Sequence, residues 1–348
     1  MRSGREPDSP QLMRKSLRSI VVVALLVAAL AALVLIFRQR HDEPQPGPAS
    51  GKLVIHFLDV GQGDSELIQL PDGEAILIDS GDRGATTIDL LRKYGVKEIT
   101  LIIATHPHSD HIGEMRAVMR AFKVREFWDS GFNHPTRTYG DMLQEIKDEG
   151  IKFSTPKRGE TRRFGPVLIE VLNPSNDLPD DNPNNASIVA RLSFGRKRFL
   201  FTGDAEVYEA AGKPSAWKQM LESEKDQLHA DLLKAAHHGS SNGTTRDVLD
   251  AVRPSIMTIS CAAGNDYHHP HPKVMRMLEQ DQNRIKLYRT DLEGTLTATC
   301  DGNDIEMSSE RQIAQDRLYL TGDEVAGTVA NDGRGGSPQH SRSGRRSR

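Results

Sequence analysis

The sequence predicts an α/β fold in which two mixed sheets pack face to face with helices outside, an αββα sandwich. Three observations predict it. Short β-type runs come first in hairpins and then alternate with helical patterns; that texture occurs twice along the chain; and three of the strands end in Asp or His.

The first half opens with runs at 52–59, 66–70 and 75–79. They are joined by Gly61-Gln62-Gly63 and by Pro71-Asp72-Gly73, the second a hairpin signal. A helix is expected over 85–94, stopped by Gly95, and a strand over 98–104. Helical patterns follow at 113–122 and at 139–148, the latter ended by Gly150. In the second half, strands are expected at 167–172, 187–193 and 197–202. The polar stretch 205–230 reads as helix in two pieces. A strand at 231–236, a helix at 244–252, a strand at 255–260, a helix at 272–280 and strands at 286–289 and 295–300 close the set. Beyond Met307 the pattern gives no element, and 331–348, rich in Gly, Ser and Arg, reads as disordered.

Ahead of this fold, residues 20–37 run without a charge. At 1.5 Å per residue they span about 27 Å, close to the hydrocarbon core of a bilayer. The run is too long for an ordinary signal-peptide core, and the exit Ile36-Phe37-Arg38 has no small-residue cleavage site. It reads as an uncleaved transmembrane signal anchor; a buried soluble helix is disfavoured by its apolarity on every face. Arg14, Lys15 and Arg18 before it favour a cytoplasmic start and a domain outside the cytoplasm, while Arg38 and Arg40 weigh against that orientation. The expected organisation is therefore a basic cytoplasmic segment 1–19, the anchor 20–37, a Pro-rich linker 38–50, a main domain 51–307 and a tail 308–348.

The formal net charge is −3, but it is unevenly spread. Residues 1–50 carry a net +3 and 332–348 a net +4, which leaves −10 on 51–331. A domain that acidic is not a broad nucleic-acid binder by electrostatics alone. The two cysteines, Cys261 and Cys300, are open to two readings: a disulfide outside the cytoplasm, or isolated buried small hydrophobes. Their spacing does not make them metal ligands.

The chemistry concentrates at 105–111, Thr-His-Pro-His-Ser-Asp-His, directly after the apolar run 101–104. Neutral imidazole and carboxylate are the usual ligands of zinc and related divalent ions. In an extended chain His106 and His108 face the same side and can grip one ion. Asp110 and His111 lie where the chain must turn and can reach a second. Two adjacent metals can activate water and hold both oxygens of a displacement. The competing reading is a solvated His-rich loop. Leu77-Ile78-Asp79 and Phe201-Thr202-Gly203-Asp204 each end an apolar strand in a carboxylate, and Ala236-His237-His238 ends a third in two imidazoles. Asp79 is placed to orient the histidine loop. Singly, each could be a turn residue; together they describe ligands converging at one sheet edge.

These residues resemble the metallo-β-lactamase-fold hydrolases. Phe57-Leu58-Asp59-Val60-Gly61-Gln62-Gly63-Asp64, Asn184-Asn185-Ala186-Ser187, Ala236-His237-His238-Gly239-Ser240 and Asn265-Asp266-Tyr267-His268-His269-Pro270 look like the ComEC/Rec2 competence-protein hydrolase domain, over roughly 52–302. The many-helix channel portion of ComEC is expected to be absent, with one anchor in its place. The resemblance implies two divalent ions, zinc or manganese. His106 and His108 would hold the first, Asp110, His111 and His238 the second, and Asp204 would bridge them. His237 would act on the substrate or leaving group. His269 would contact a phosphate or protonate a leaving group, and a plain surface histidine is its competing reading. Asp59 and Asp64 would be supporting residues. Relatives often supply a third histidine to the first metal from a strand in mid-chain; here the matching segment is Val171-Leu172-Asn173-Pro174, and Asn173 is a poor zinc ligand. The first site is therefore expected to be weak. The implied activity is a membrane-anchored phosphodiesterase or DNase in which a metal-bound hydroxide, flanked by Asp110 and Asp204, attacks phosphorus. A hydrolase of a small phosphoester and a non-catalytic scaffold that binds nucleic acid or a partner are the alternatives.

Overall fold

The computed structural model describes residues 51–176, 182–208 and 214–331. The expected anchor at 20–37, the linker and the basic tail lie outside the described residues. Among the described residues no helix is long and apolar enough to cross a membrane.

The first half builds β1 (Leu53–Phe57), β2 (Glu66–Gln69), β3 (Ala75–Ile78), β4 (Glu98–Ala104), β5 (Lys123–Asp129) and β6 (Lys152–Ser154). The second builds β7 (Thr161–Phe164), β8 (Val167–Asn173), β9 (Val189–Phe194), β10 (Lys197–Phe201), β11 (Leu232–Lys234), β12 (Ile256–Ile259) and β13 (Lys286–Arg289). Two last strands, β14 (Leu296–Cys300) and β15 (Ile305–Ser309), return to the first sheet. The sheets run β15-β14-β1-β2-β3-β4-β5-β6 and β13-β12-β11-β10-β9-β8-β7. In each, antiparallel hairpins give way to parallel strands separated by helices: β3 pairs with β4 in parallel, and β10 with β11. The sandwich expected from the sequence is the one observed.

Alternation along the strands decides which side chain goes to which layer. Leu53, Ile55 and Phe57 of β1 meet Phe199 and Phe201 of β10 and Leu232 of β11 in the core between the sheets. Leu200 and Leu233, one residue out of phase, face outward and pack with Trp217, Val248 and Leu278 of the covering helices. Leu77 and Ile102 do the same on the other side against Leu91, Met115 and Met142. The helices start and stop where the chemistry dictates. Thr136 caps Arg137–Asp148 by accepting from the Tyr139 N–H, Ser215 caps Ala216–Ser223, and Gly95 and Gly150 take positive φ just past their helices.

Several elements differ from the expectation. The helix expected over 113–122 is Met115–Ala121, and an unexpected four-residue turn of helix, Ser109–Ile112, precedes it inside the histidine loop. Strands β5, β6, β7 and β15 had no sequence signal. The expected domain end at Met307 falls inside β15, and a helix at Gly322–Asn331 follows, with Val325 buried. Of the stretch 205–230, the structure describes one helix, Ala216–Ser223, and a 3-10 turn, Lys225–Gln227. Cys261 and Cys300 are both buried free thiols, so the small-hydrophobe reading stands and the disulfide does not.

Candidate metal centre

Every candidate site residue lies at the carboxyl ends of β3, β4, β10 and β11 or in the loops after β11 and β12. The central feature is the turn after β4. His108 ends the extended exit, and the helical turn Ser109–Ile112 swings Asp110 and His111 back over the sheet edge. This turn is seated on Gly63, where an added Cβ would lie 2.1 Å from the Asp110 carbonyl oxygen, at φ +127°. The Gly61-Gln62-Gly63 motif thus lets two backbones touch beneath the site.

Hydrogen bonds fix each ring. Asp79, buried at φ +53°, accepts from the Thr105 N–H at 2.8 Å and the Thr105 hydroxyl at 2.6 Å. It also lies 2.7 Å from His111 Nδ1. The carboxylate is an acceptor, so His111 carries its proton on Nδ1 and aims Nε2 inward. His238 Nδ1 lies 2.9 Å from the Ser260 carbonyl and donates to it, which likewise frees Nε2. Asp204 follows Gly203 (φ +47°), where a Cβ would press on Thr105, and its N–H donates to Ser187 Oγ at 3.1 Å.

Two donor groups result, and they share Asp204. Ligand atoms of Asp110, His111, Asp204 and His238 lie within 4.8 Å of one another, as do those of His106, His108 and Asp204. In the first group His111 Nε2 is 3.3 Å and His238 Nε2 is 3.6 Å from Asp204 Oδ1, and His238 Nε2 is 3.2 Å from Asp110 Oδ2. In the second, His106 Nε2 is 3.0 Å from His108 Nδ1 and 3.7 Å from Asp204 Oδ2. A third group, Asp64, Asp79 and His111, is already engaged, because His111 Nδ1 lies against Asp79 and one Asp64 oxygen pairs with Lys234.

The donor set fits a divalent cation. His111 Nε2, His238 Nε2 and Asp204 Oδ1 are buried without a hydrogen-bond partner, and they converge on one another. Burial works against a charged imidazole, yet Asp204, Asp64 and Asp110 push His238 up to about 10. His111 is likewise held well above the usual range, with Asp204, Asp79 and Asp110 overcoming burial. The same imidazoles overcome burial to hold Asp204 well below the carboxylate range. The pocket thus demands positive charge at its centre, which a proton or a metal ion supplies.

His237, also left-handed at φ +53°, sits at the edge of the centre. Its Nε2 is 3.7 Å from Asp204 Oδ2 and its Nδ1 3.4 Å from Glu206. The His269 ring stands 5.4 Å from that of His237 and 6.0 Å from that of His238, and burial followed by the neighbouring imidazoles lowers it to about 3. Asp59 lies away from the centre, with its carboxylate 3.7 Å from Arg311. Asn173 is buried, and its amide donates to the backbone carbonyls of Asn185 at 3.0 Å and Ser187 at 2.8 Å. It braces the turn that carries Ser187.

Sequence reasoning missed Lys234 and Glu206. Lys234 is fully buried on β11 and forms an ion pair with Asp64, whose other oxygen is 3.3 Å from His238 Nδ1. A lysine inside the otherwise apolar run Leu232-Leu233-Lys234-Ala235-Ala236 was the available signal.

A sheet sandwich with histidines and aspartates gathered at one edge defines a class. The chain belongs to the Metallo-beta-lactamase superfamily of metal-dependent hydrolases, whose sequence profile matches residues 58–263. Its fold implies divalent metal binding. Within that class it is ComEC/Rec2-like. ComE operon protein 3 of Bacillus subtilis (strain 168) is 27% identical over 304 residues, covering 81% of this chain and 36% of that protein. Recombination protein 2 of Haemophilus influenzae is 27% identical over 239 residues, 67% of this chain and 27% of that protein. The chain therefore spans about a third of the length of these curated relatives. Among solved structures, Igni18, a metallo hydrolase from Ignicoccus hospitalis, has 16% identity and a TM-score of 0.47, covering 70% of this chain and 98% of that one.

Proposed function

We propose that this chain is a membrane-anchored, extracytoplasmic phosphodiesterase that uses two divalent ions, zinc or manganese, and acts on DNA. The observation that carries the reading is the pair of donor groups sharing Asp204, beside which His237 and His269 stand without being needed as ligands. Two ions there would activate water and hold the oxygens of a phosphoryl group. The chain's own residues do the rest. Asp79 and the Ser260 carbonyl keep His111 and His238 in the ligating tautomer. Asp110, held below the carboxylate range as His111 and His238 overcome its burial, stays ionised at the edge of the centre. His237, steadied by Glu206 and with His269 beside it, would act on the substrate or leaving group. One of the relatives is a recombination protein by name, which favours DNA. The ions would offset part of the −10 charge on 51–331 that opposes it. The anchor rests on the uncharged run 20–37.

The test is a substrate panel on the purified full chain in detergent: single-stranded DNA, double-stranded DNA and a simple phosphodiester, each with manganese or zinc. Cleavage of a phosphodiester, abolished in Asp110→Ala while circular dichroism stays unchanged, is expected. Retained cleavage in that variant sinks the assignment. Asn173, engaged with the backbone rather than the ions, favours one second reading, a binding scaffold. Fewer than one tightly bound ion per chain, with no hydrolysis of any substrate, would establish that reading instead.

A further inference from the structure

Three large apolar side chains stand exposed among the described residues: Phe153, Tyr208 and Tyr267. Tyr267 is the one whose ring is stacked on a residue of the metal centre. It lies parallel to His269, with centroids 5.8 Å apart and planes at 19°, while its own surface is 61% exposed. The His269 ring beneath it stands 6.0 Å from that of His238, which puts Tyr267 at the mouth of the centre.

The loop that holds this ring is braced from both sides. From within, Asn265 Oδ1 accepts from the N–H groups of Tyr267 at 3.2 Å and His269 at 3.0 Å. Its amide donates to the carbonyls of Ala262 at 2.8 Å and His269 at 2.7 Å. From outside, the Gly322 N–H donates to the Pro270 carbonyl at 3.1 Å, and a Cβ at Gly322 would meet the His269 carbonyl oxygen at 2.3 Å. His268, in the left-handed region at φ +62°, is tied to Asp323 at 2.5 Å. An aromatic ring fixed in place yet left open to solvent is a pre-organised surface for another flat ring.

We propose that Tyr267, backed by His269, is a stacking platform for one nucleobase next to the scissile phosphate, and that it makes the substrate single-stranded. The proposal rests on the phosphodiesterase reading above. The ring itself selects the occupant. An exposed, uncharged aromatic face gives a phosphate no ion pair, whereas a base offers its π-face, and every base has one. A base in a duplex must first leave its own stack to reach the ring, so an unpaired strand is favoured.

The experiment uses the full chain with manganese and a single-stranded oligonucleotide, intact or with one abasic position walked along it. Tyr267→Ala should lower kcat/KM on the intact strand by about tenfold or more, and Tyr267→Phe should restore it. One abasic position should reproduce that loss in the unsubstituted protein, and on that strand Tyr267→Ala should cost nothing further. Equal cleavage of the intact strand by Tyr267→Ala, or an equal loss on intact and abasic strands, overturns the platform. If neither strand is cleaved by any variant, the phosphodiesterase reading fails on its own. The platform is then read by quenching of 2-aminopurine within the strand on titration with protein. Quenching that Tyr267→Ala abolishes upholds it, and quenching that is unchanged or absent overturns it.

Discussion

Lys234→Met tests how the site is supported. Lys234 and Asp64 are each buried to 1% exposure and pair across the sandwich, one from β11 and one from the loop between β1 and β2. Methionine keeps the aliphatic stem and removes the charge. Asp64 is left as a buried carboxylate beside Glu66, whose own carboxyl is held well above the usual range by burial and by Asp64. Breaking one side of such a pair costs about 3–5 kcal/mol. Against a total of about 5–15 kcal/mol, that is a large fraction of the fold's stability. The direction of the pH effect follows from Asp64. Lys234, His238 and His111 overcome its burial and depress its carboxyl, so the pair's contribution is present above the unfolded carboxylate range and lost as pH falls. The gap between the unsubstituted protein and Lys234→Met should therefore narrow as the pH is lowered. Denaturant unfolding followed by the fluorescence of the buried Trp128 and Trp217 reads both quantities. The double variant Asp64→Leu with Lys234→Met should lose less than Lys234→Met alone, because two apolar groups replace a broken pair. Simple additivity of the two losses, or a loss below about 1 kcal/mol for Lys234→Met, refutes the argument.

Two further outcomes are expected. Asp79→Asn removes the acceptor that fixes His111, and divalent-metal affinity measured by calorimetry should fall about 10–100-fold; an unchanged affinity would show that His111 is oriented by something else. Asp129 is raised to about 6 by burial, against hydrogen bonds from the Gly131 N–H and the Tyr139 hydroxyl. A raised carboxyl favours the fold below its unfolded value of about 3.9 and loses that favour as pH climbs to 6, a change of about 2–3 kcal/mol. Asp129→Asn lacks the titration, so its stability relative to the unsubstituted protein should improve between pH 4 and pH 7. A flat difference across that range would be the contrary result.

Much of this was legible in the sequence because signal and structure were local. The ligands sit in contiguous runs at strand ends, so 105–111, Asp204 and His237-His238 announced themselves. What stayed hidden was non-local or polar. β5 reads Lys-Val-Arg-Glu-Phe-Trp-Asp, and its charges mask an inner strand whose last four residues are all buried. β15 alternates between exposed and half-buried residues along its length and has no apolar run to find. The helix at Gly322–Asn331 has Val325 as its buried anchor, yet it braces the loop of Tyr267. Lys234 finds Asp64 across 170 positions, a pairing that no local pattern encodes.

Asn173 carries a consequence for how this ligand set can change. Its amide holds the carbonyls of Asn185 and Ser187, and the Ser187 hydroxyl in turn receives the N–H of Asp204. An imidazole at 173 would add a donor for the His106 and His108 group only by releasing the turn that seats the carboxylate both groups share. The gain and the loss are coupled in one step. A histidine at 173 would therefore need compensating changes at 184–187 to keep Asp204 seated.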